Sequence, residues 1–320
     1  MSRVLVTGAS GFIGQAVVAA LAKDGHTVRA AVRRLPQTGF PDGIEVVQHG
    51  DLAQPVDWRA LLTGMDQVVH LAGIAHTGRG VDSAAYDLVN RHATAQLAIA
   101  AAQAGTSRLV FVSSIRAQNG PAADHALTER GPPAPTDAYG RSKLAAEEAV
   151  RSSGVPFTVL RPVMVYGPGA KANFALLVRA AASPLPLPVK GFVNRRSMLS
   201  IDNFISALAF VLSAPSTIGQ TYVVADPGMP LRLADVIATM RQAQGRRPFI
   251  MSMSTNYLEW PLRMMRRGDV WARIGGNLRV DAGKLIAAGW QPLHDTRSGL
   301  TAMAQAAAPR KSGTASRSTR

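Results

Sequence analysis

The sequence contains no cysteine, and this absence excludes several kinds of chemistry. Disulfide bonds and thiolate nucleophiles are ruled out, and a cytoplasmic location is the simplest expectation. Long apolar runs are also missing, so no segment reaches the roughly 20 residues that a membrane-spanning helix needs. The chain starts with a strand-like segment, Val4-Leu5-Val6, instead of a signal peptide, which fits the same expectation.

Acidic residues are scarce, since 20 Asp and Glu accompany 35 Lys and Arg, for a net charge of +15. No motif that reads nucleic acid accompanies this charge, so we expect no nucleic-acid partner. A basic protein also attracts phosphate-bearing small molecules, and this is the interpretation that we prefer. The seven histidines share no ligand spacing, so we expect no metal site.

A glycine-rich turn lies between a predicted strand at 3–7 and a predicted helix at 12–23. Gly8, Gly11 and Gly14 have the spacing of a dinucleotide-binding fingerprint, in which glycines allow a tight turn and close approach of the backbone to a pyrophosphate. The N-terminus of the helix then directs free N–H groups at the phosphates. The residues predicted to bind the cofactor here are Gly8, Ser10, Gly11, Phe12, Ile13 and Gly14.

The second predicted strand ends in Arg33-Arg34, where NAD-binding sites usually place an acidic residue for the ribose hydroxyls. A guanidinium suits a 2′-phosphate instead. We therefore predict a preference for NADP(H), with Arg33 as the main contact and NAD(H) as the alternative. The opposing interpretation is that both arginines are solvated loop charges.

Tyr139 and Lys143 are four residues apart in a predicted helix, so their side chains share one face. An ammonium beside a phenol stabilises the phenolate and lowers the tyrosine pKa. The pair therefore predicts a general base that can take a proton from an alcohol while a nicotinamide takes the hydride.

Other predicted strand ends carry small or polar residues that suit a cofactor lying across them. Asp51 is placed to meet the adenine edge, and Asn90, on a helix predicted over 83–104, is either a site residue or a polar residue of the core. The further residues predicted to contact the cofactor are Asp51, Leu52, Leu71, Ala72, Gly73, Asn90 and Arg161.

Taken together, the motifs resemble the extended short-chain dehydrogenases/reductases of the nucleotide-sugar epimerase/dehydratase group, over roughly residues 1–300. The matching segments are Thr7-Gly8-x-x-Gly11-Phe12-Ile13-Gly14, Gly50-Asp51-Leu52, His70-Leu71-Ala72-Gly73, Val112-Ser113-Ser114, Tyr139-x-x-x-Lys143, Arg161-Pro162-x-x-Val165-Tyr166-Gly167-Pro168-Gly169, Asn194-Arg195-Arg196-Ser197 and Ile201-Asp202-Asn203.

The resemblance implies catalytic roles for three residues. Ser114 would bond the reacting oxygen, Tyr139 would be the acid and base, and Lys143 would hold the nicotinamide ribose. Gly120 follows Ser114 by six residues where similar enzymes have five, so the loop 115–119 holds an extra residue and Ser113 is the alternative. The resemblance also implies a substrate contact by Asn173. Arg196, from its charge and position, and Arg279 are further predicted contacts with the substrate phosphates.

The two residues that directly follow Ser114 restrict the kinds of reaction that the chain can catalyse. Similar 4,6-dehydratases carry an Asp-Glu pair there, because eliminating water needs a further acid and base, whereas this chain has Ile115-Arg116. The remaining functions are 4-epimerisation of a nucleotide sugar, such as a UDP-hexose, or reduction of a 4-keto sugar, towards which the NADP(H) prediction tilts. The alternatives are an NADP-dependent reductase of a small non-nucleotide carbonyl and a catalytically silent NADP-binding sensor.

The predicted fold class is α/β, a doubly wound parallel (Rossmann) sheet with a smaller, discontinuous C-terminal substrate domain. The cofactor domain is predicted to cover 1–165 with 197–225 returning to it, the substrate domain 166–196 and 226–305, and a disordered tail 306–320. The basic, Met-rich segment 257–273 is interpreted as a lid or packing helix, and we do not expect membrane contact. A homodimer is left open.

Overall fold

The computed structural model describes residues 1–36, 39–74, 81–170, 173–252, 264 and 275–307, without the side chains of Asn173 and Ala175. The strands are β1 (Arg3–Thr7), β2 (Thr27–Val32), β3 (Glu45–Gln48), β4 (Gln67–His70), β5 (Arg108–Val112), β6 (Ala126–Leu127), β7 (Phe157–Pro162), β8 (Met164–Tyr166), β9 (Arg195–Arg196), β10 (Met198–Ser200), β11 (Gln220–Val224), β12 (Leu231–Arg232) and β13 (Arg279–Val280). The helices are α1 (Phe12–Lys23), α2 (Trp58–Leu62), α3 (Ser83–Tyr86), α4 (Ala93–Gln103), α5 (Ile115–Gln118), α6 (Ala138–Ser152), α7 (Asn173–Ala182), α8 (Ile201–Ser213), α9 (Leu233–Ala243), α10 (Gly283–Ala287) and α11 (Thr296–Ala306).

Seven strands form one parallel sheet in the order β11-β7-β5-β4-β1-β2-β3. The order reverses between β1 and β4, which creates the crevice where ligands of such sheets bind. Within β1, Val4 and Val6 join the core that includes residues of α1 and α8, while Leu5 joins the core that includes residues of α2, α4 and α6. Successive side chains of a strand point to opposite faces, so helices cover both faces. The predicted doubly wound parallel sheet is confirmed.

A third apolar core lies outside the sheet and combines side chains from β8, α7, α9 and α11, among them Tyr166, Phe174, Met240 and Leu300. Three two-stranded pairings accompany it, β8 with β10, β9 with β12, and β6 with β13. Between β10 and β12 the chain returns to the large sheet through α8 and β11. The predicted division into cofactor and substrate domains stays a prediction.

Two predicted elements differ from the structure. The helix expected over 83–104 contains a π-helical stretch at Asp87–His92, so it does not run as one regular helix. The segment 115–119, expected as a loop, contains the short helix α5, which the Ser114 hydroxyl caps by accepting a hydrogen bond from the backbone N–H of Arg116. One turn of helix accommodates the extra residue before Gly120.

Two predictions concern segments near the C-terminus. The segment 257–273 lies outside the described residues except for Met264, and residues 308–320 of the predicted tail lie outside them as well, while α11 continues to Ala306. Within the described part of the chain, none of the helices has the length and apolar character needed to cross a bilayer.

Candidate active site

A cavity of about 1090 Å³ opens at the carboxyl ends of the central strands, beside the crevice between β1 and β4. Predicted catalytic, cofactor-binding and substrate-binding residues all contribute to its lining. The predicted residues that line this cavity are Gly8, Ser10, Gly11, Phe12, Ile13, Gly14, Arg33, Asp51, Leu52, Leu71, Ala72, Gly73, Ser114, Tyr139, Lys143 and Arg196. The structure therefore brings together segments that are far apart in the chain.

The glycine turn explains why the end of β1 can approach the end of β4 so closely. Gly8 has a φ of +69°, and a Cβ there would lie 2.7 Å from the backbone nitrogen of Ala72. A Cβ at Gly14 would overlap the carbonyl oxygen of Gly8, so α1 packs tightly against the turn. These two glycines leave the backbone bare at the cavity wall, which is the shape that a dinucleotide pyrophosphate needs.

Arg33, His49 and Asp51 also line the cavity. Arg33 is exposed, and the Nδ1 atom of His49 is buried without a hydrogen-bond partner among the described residues. Burial, and then the charge of Arg33, lower the pKa of His49 below its ordinary value. This corner therefore offers a cation and a neutral imidazole to a ligand.

The structure separates the roles of the two adjacent serines. The Ser113 hydroxyl donates to the buried carboxylate of Glu147 at 2.6 Å, and is thereby committed to that carboxylate. The Ser114 hydroxyl instead forms a hydrogen bond with the Tyr139 side chain. The preference for Ser114 over Ser113 is supported by this geometry.

Tyr139 stands in the first turn of α6, which Asp137 caps by accepting a hydrogen bond from the backbone N–H of Gly140 at 2.7 Å. The Tyr86 ring packs on it with 5.9 Å between ring centres. Burial raises the pKa of Tyr139 above its ordinary value, while the hydrogen bond from Ser114 lowers it. The expected lowering of this pKa by Lys143 is not seen: burial is the largest cause and raises the pKa, and the groups that lower it are Ser114 and Arg116.

Lys143 lies one helical turn beyond Tyr139 and is 5% exposed. Its Nζ donates to the carbonyl of Val112 at 3.0 Å and lies 4.7 Å from the centre of the Phe111 ring. Burial lowers the pKa of Lys143 to about 8, and the charge of Glu147 raises it in part. The ammonium is thus fixed at the end of β5, where it lines the cavity.

Asn90 and Arg161, both predicted to contact the cofactor, do not line the cavity. Asn90 lies in the π-helical stretch and bonds the backbone N–H and carbonyl of Ile74 and the Ser142 hydroxyl, so it supports the segment that follows β4. The guanidinium of Arg161 donates to Glu147 at 2.6 and 2.8 Å and to Gln118. Its burial in this network argues against the predicted contact.

The predicted substrate-binding residues lie in different parts of the structure. Arg196 lines the cavity, whereas the preceding Arg195 lines a smaller cavity of about 270 Å³, because adjacent strand residues point to opposite sides. Arg196 donates to the carbonyls of Gly276 and Pro121, and burial lowers its pKa to about 10.

Arg279 lies outside both cavities and donates to the carbonyl of Asp124 at 2.6 Å. Asn173 begins α7, but its side chain lies outside the described residues. Their predicted contacts with a substrate stay predictions.

Several cavity residues escaped the sequence analysis. The charged or polar ones are His49 and Arg116, and the apolar ones include Val163, Met164 and Leu278. His49 directly precedes the Gly50-Asp51-Leu52 motif, so its position was an available signal. The sequence pattern marks Arg116 only as a departure from the dehydratases. Among the described residues, no cluster of His, Asp and Glu could hold a metal ion.

Comparison with known proteins places this geometry in a family. Residues 4–225 match the model of the NAD dependent epimerase/dehydratase family. The chain is 29% identical over 314 residues to a UDP-glucose 4-epimerase of Vibrio cholerae, covering 95% of this chain and 94% of that protein. It is 34% identical over 215 residues to a ceramide reductase of Caulobacter vibrioides, covering 66% of this chain and 61% of that protein.

Among solved structures, the fold is similar to MoeE5 in complex with UDP-glucose and NAD, with a TM-score of 0.72 and 26% identity over 95% of this chain and 97% of MoeE5. The matched region, residues 4–225, contains nearly all of the central sheet and includes Ser114, Tyr139 and Lys143 at the cavity. The chain therefore belongs to the NAD dependent epimerase/dehydratase family and is an enzyme of the extended short-chain dehydrogenase/reductase type.

Proposed function

We propose that this enzyme interconverts an alcohol and a ketone at C4 of a UDP-hexose by hydride transfer, as a 4-epimerase or a 4-keto reductase. The observation that carries the proposal is the meeting of Ser114, Tyr139 and Lys143 at the cavity that the glycine turn opens. The similarity to a UDP-glucose 4-epimerase over 95% of the chain supports the same substrate class.

Tyr139 and Ser114 have different roles at C4. Tyr139 takes the proton of the C4 hydroxyl during oxidation and returns it during reduction. Burial opposes the phenolate that oxidation needs, whereas the hydrogen bond from Ser114 and the charge of Arg116 favour it. With substrate bound, the single proton of the Ser114 hydroxyl, which otherwise bonds Tyr139, is donated to the C4 oxygen and stabilises the charge that develops there. A nicotinamide bound in the cavity supplies the chemistry of accepting and returning the hydride.

Arg196 is the best-placed residue for the substrate diphosphate. Its guanidinium is held by carbonyl oxygens and contacts no carboxylate among the described residues, so its charge at the cavity wall is not neutralised by a partner. A diphosphate is a suitable partner for such a cation, because guanidinium and phosphate form paired, charge-assisted hydrogen bonds.

Two observations, one on a similar structure and one on this site, favour different versions of the reaction. An epimerase returns the hydride to the same sugar and need not exchange its cofactor, whereas a reductase consumes one cofactor for each turnover. The NAD bound to MoeE5 favours the first. Arg33 at the cavity, with no acidic residue at the end of β2, favours NADP(H) and therefore the second. We propose NADP(H) as the preferred cofactor.

The test of the proposed function is Tyr139→Phe, assayed with UDP-glucose and UDP-N-acetylglucosamine. Formation of the C4 epimer is followed by NMR, and reduction of the matching 4-keto sugar by loss of NADPH absorbance. We expect turnover to fall by about 100- to 10,000-fold, the usual contribution of a general acid–base group. Cofactor affinity should change less than about twofold, because the phenol acts on the substrate.

Tyr86→Phe is the matched control, since it removes a hydroxyl from the neighbouring ring, which does not line the cavity. It should retain most of the turnover. Turnover of Tyr139→Phe at the wild-type level would exclude the proposed mechanism. Failure to bind UDP in calorimetry, combined with reduction of non-nucleotide carbonyls, would favour the small-carbonyl reductase instead.

A further inference from the structure

Arg116 connects the catalytic serine to the catalytic helix through two different parts of the residue. It stands two positions after Ser114, within α5, and lines the cavity. Its backbone N–H donates to the Ser114 hydroxyl at 3.1 Å, so that hydroxyl is oriented by the helix that Arg116 belongs to. The same residue therefore has one bond to the catalytic hydroxyl before its side chain is considered.

The side chain of Arg116 reaches the helix that carries Tyr139. Its Nη2 pairs with Oδ2 of Asp137, while Oδ1 of the same carboxylate accepts the N–H of Gly140 and caps α6. Only 13% of the Arg116 side chain and 27% of the Asp137 side chain are exposed, so solvent screens this pair little. One carboxylate thus fixes both the guanidinium and the first turn of α6.

Close packing reinforces the connection. A Cβ at Gly140 would overlap the carbonyl oxygen of Arg116 and would lie 3.0 Å from Cβ of Pro135. Because Gly140 directly follows Tyr139, the backbone of α5 touches α6 beside the catalytic residue. A side chain at position 140 would push the two helices apart and would separate the Ser114 and Tyr139 hydroxyls.

The charged and titratable groups around the phenol come from several elements. From α5, Arg116 favours the phenolate, and from the cap of α6, Asp137 opposes it. From α3, the Tyr86 side chain also opposes it, and Lys143 on α6 is engaged by the carbonyl of Val112. Arg196, from β9, shares the cavity and feels the charge of Arg116. Arg116 is thus the cation whose removal should change the pKa of the Tyr139 phenol most.

We propose that Arg116 is a positioning residue of this active site, which, together with Asp137, holds the hydroxyls of Ser114 and Tyr139 against each other. The inference deepens the proposed function and rests on it for the identity of the reaction. It assigns the ion pair a role in chemistry, and not only in closing the segment between β5 and α6. An ordinary surface ion pair would contribute little to the position of either hydroxyl.

The test compares Arg116→Met with Arg116→Lys, which keeps the charge. The first measurement needs no substrate: ring-labelled tyrosine is followed by NMR through a pH titration, with Tyr139→Phe identifying the Tyr139 signal. Arg116→Met should move the titration of Tyr139 to higher pH, and Arg116→Lys should stay closer to the wild type. Asp137→Asn should move it to lower pH, because Asp137 opposes the phenolate.

The second measurement is turnover with the UDP-hexose that the wild type accepts. Arg116→Met should lower kcat at least 10-fold with KM within about twofold, and should shift the basic pH dependence of kcat in step with the NMR titration. Gly140→Ala should lower kcat in the same way while leaving the charges in place. If Arg116→Met does not fold, Asp137→Asn breaks the same ion pair and should move the Tyr139 titration to lower pH, whereas Arg116→Lys should keep it close to the wild type.

The two hypotheses fail in different ways. Absence of turnover with every UDP-hexose, together with the expected NMR shifts, would overturn the proposed function and keep the positioning role. Normal turnover in Arg116→Met with an unmoved Tyr139 titration would overturn the positioning role and keep the proposed function. A loss of kcat that only follows a lower melting temperature, with an unmoved titration, would likewise assign the pair to stability alone.

Discussion

At the scale of single residues, the site shows how neighbours in the sequence acquire different roles. Ser113 and Ser114 are chemically identical, yet the first donates to Glu147 and the second bonds Tyr139. Arg195 and Arg196 likewise face two different cavities. The side-chain alternation at the ends of strands decides these assignments, and no motif could have decided them alone.

Cofactor choice belongs to this scale. Arg33→Ala should weaken NADPH binding by about 10- to 100-fold, the value of a charged hydrogen bond, and leave NADH binding within about twofold. His49→Ala should weaken NADPH by about fivefold, because a neutral imidazole forms an ordinary hydrogen bond. Because burial lowers the pKa of His49, its ring is neutral near pH 7. Its contribution to NADPH binding should therefore grow as the pH falls and the ring becomes protonated. Fluorescence titration with both cofactors measures these affinities.

The matched control for this prediction is Arg34→Ala, since Arg34 is exposed and does not line the cavity. It should leave both affinities close to those of the wild type. A wild-type protein that binds NADH much more tightly than NADPH would contradict the assignment of Arg33 to a 2′-phosphate.

At the scale of elements, a buried charge network joins the helices and strands behind the site. Glu147 on α6 is fully buried and accepts hydrogen bonds from Ser113, Arg151 and Arg161. Gln118 of α5 then accepts a hydrogen bond from Arg161. The network ties α5, α6, β7 and the end of β5 together, so it holds the elements on which Ser114, Tyr139 and Lys143 stand.

Glu147→Gln should destabilise the protein by about 3–5 kcal/mol, because it leaves the Arg161 guanidinium buried without a counter-charge. The midpoint of urea unfolding measures the loss. Lys143 should also titrate at lower pH, since the charge of Glu147 raises its pKa.

Glu148→Gln is the control, since the neighbouring Glu148 is exposed and should tolerate the change within about 0.5 kcal/mol. An unfolding midpoint that Glu147→Gln leaves unchanged would show that the buried pair does not stabilise the fold.

At the scale of the whole molecule, the carboxyl edge of the sheet depends on a neutral histidine. His70 is fully buried; its Nδ1 lies 2.6 Å from the Thr7 hydroxyl and its Nε2 lies 2.9 Å from the Thr94 hydroxyl. Thr94 donates its own proton to the carbonyl of Asn90, so Nε2–H donates to Thr94 and Thr7 donates to Nδ1. This neutral tautomer satisfies every member of the network and links β1, β4 and the π-helical stretch.

Acid should therefore destabilise the fold. Burial lowers the pKa of His70 to about 3, while the unfolded chain keeps a value of 6.5. Below pH 6.5 the unfolded state takes up a proton that the folded state refuses, so stability falls by about 1.4 kcal/mol per pH unit until the pH approaches 3. Urea unfolding at a series of pH values between 7 and 5 measures this slope.

The variant that tests the assignment is His70→Gln, which should be less stable at neutral pH but should lose stability less steeply in acid. The exposed His125→Gln should keep the wild-type slope. Equal slopes in wild type and His70→Gln would show that another group controls acid unfolding.

Much of this protein can be derived from its sequence, because the relevant signals are local. Alternating apolar strands and amphipathic helices predicted the parallel sheet, and the spacing of Gly8, Gly11 and Gly14 predicted the turn that opens the cavity. The four-residue spacing of Tyr139 and Lys143 predicted their shared helix face.

The tertiary structure decided which groups pair, since pairing depends on segments that are distant in the sequence. Arg161 is bound by Glu147 and does not line the cavity, and burial raises the pKa of Tyr139, which the spacing to Lys143 predicts to be lowered. The ion pair of Arg116 with Asp137 joins residues 21 positions apart. Local spacing sets the face on which a side chain lies, but burial and partners set its charge and role.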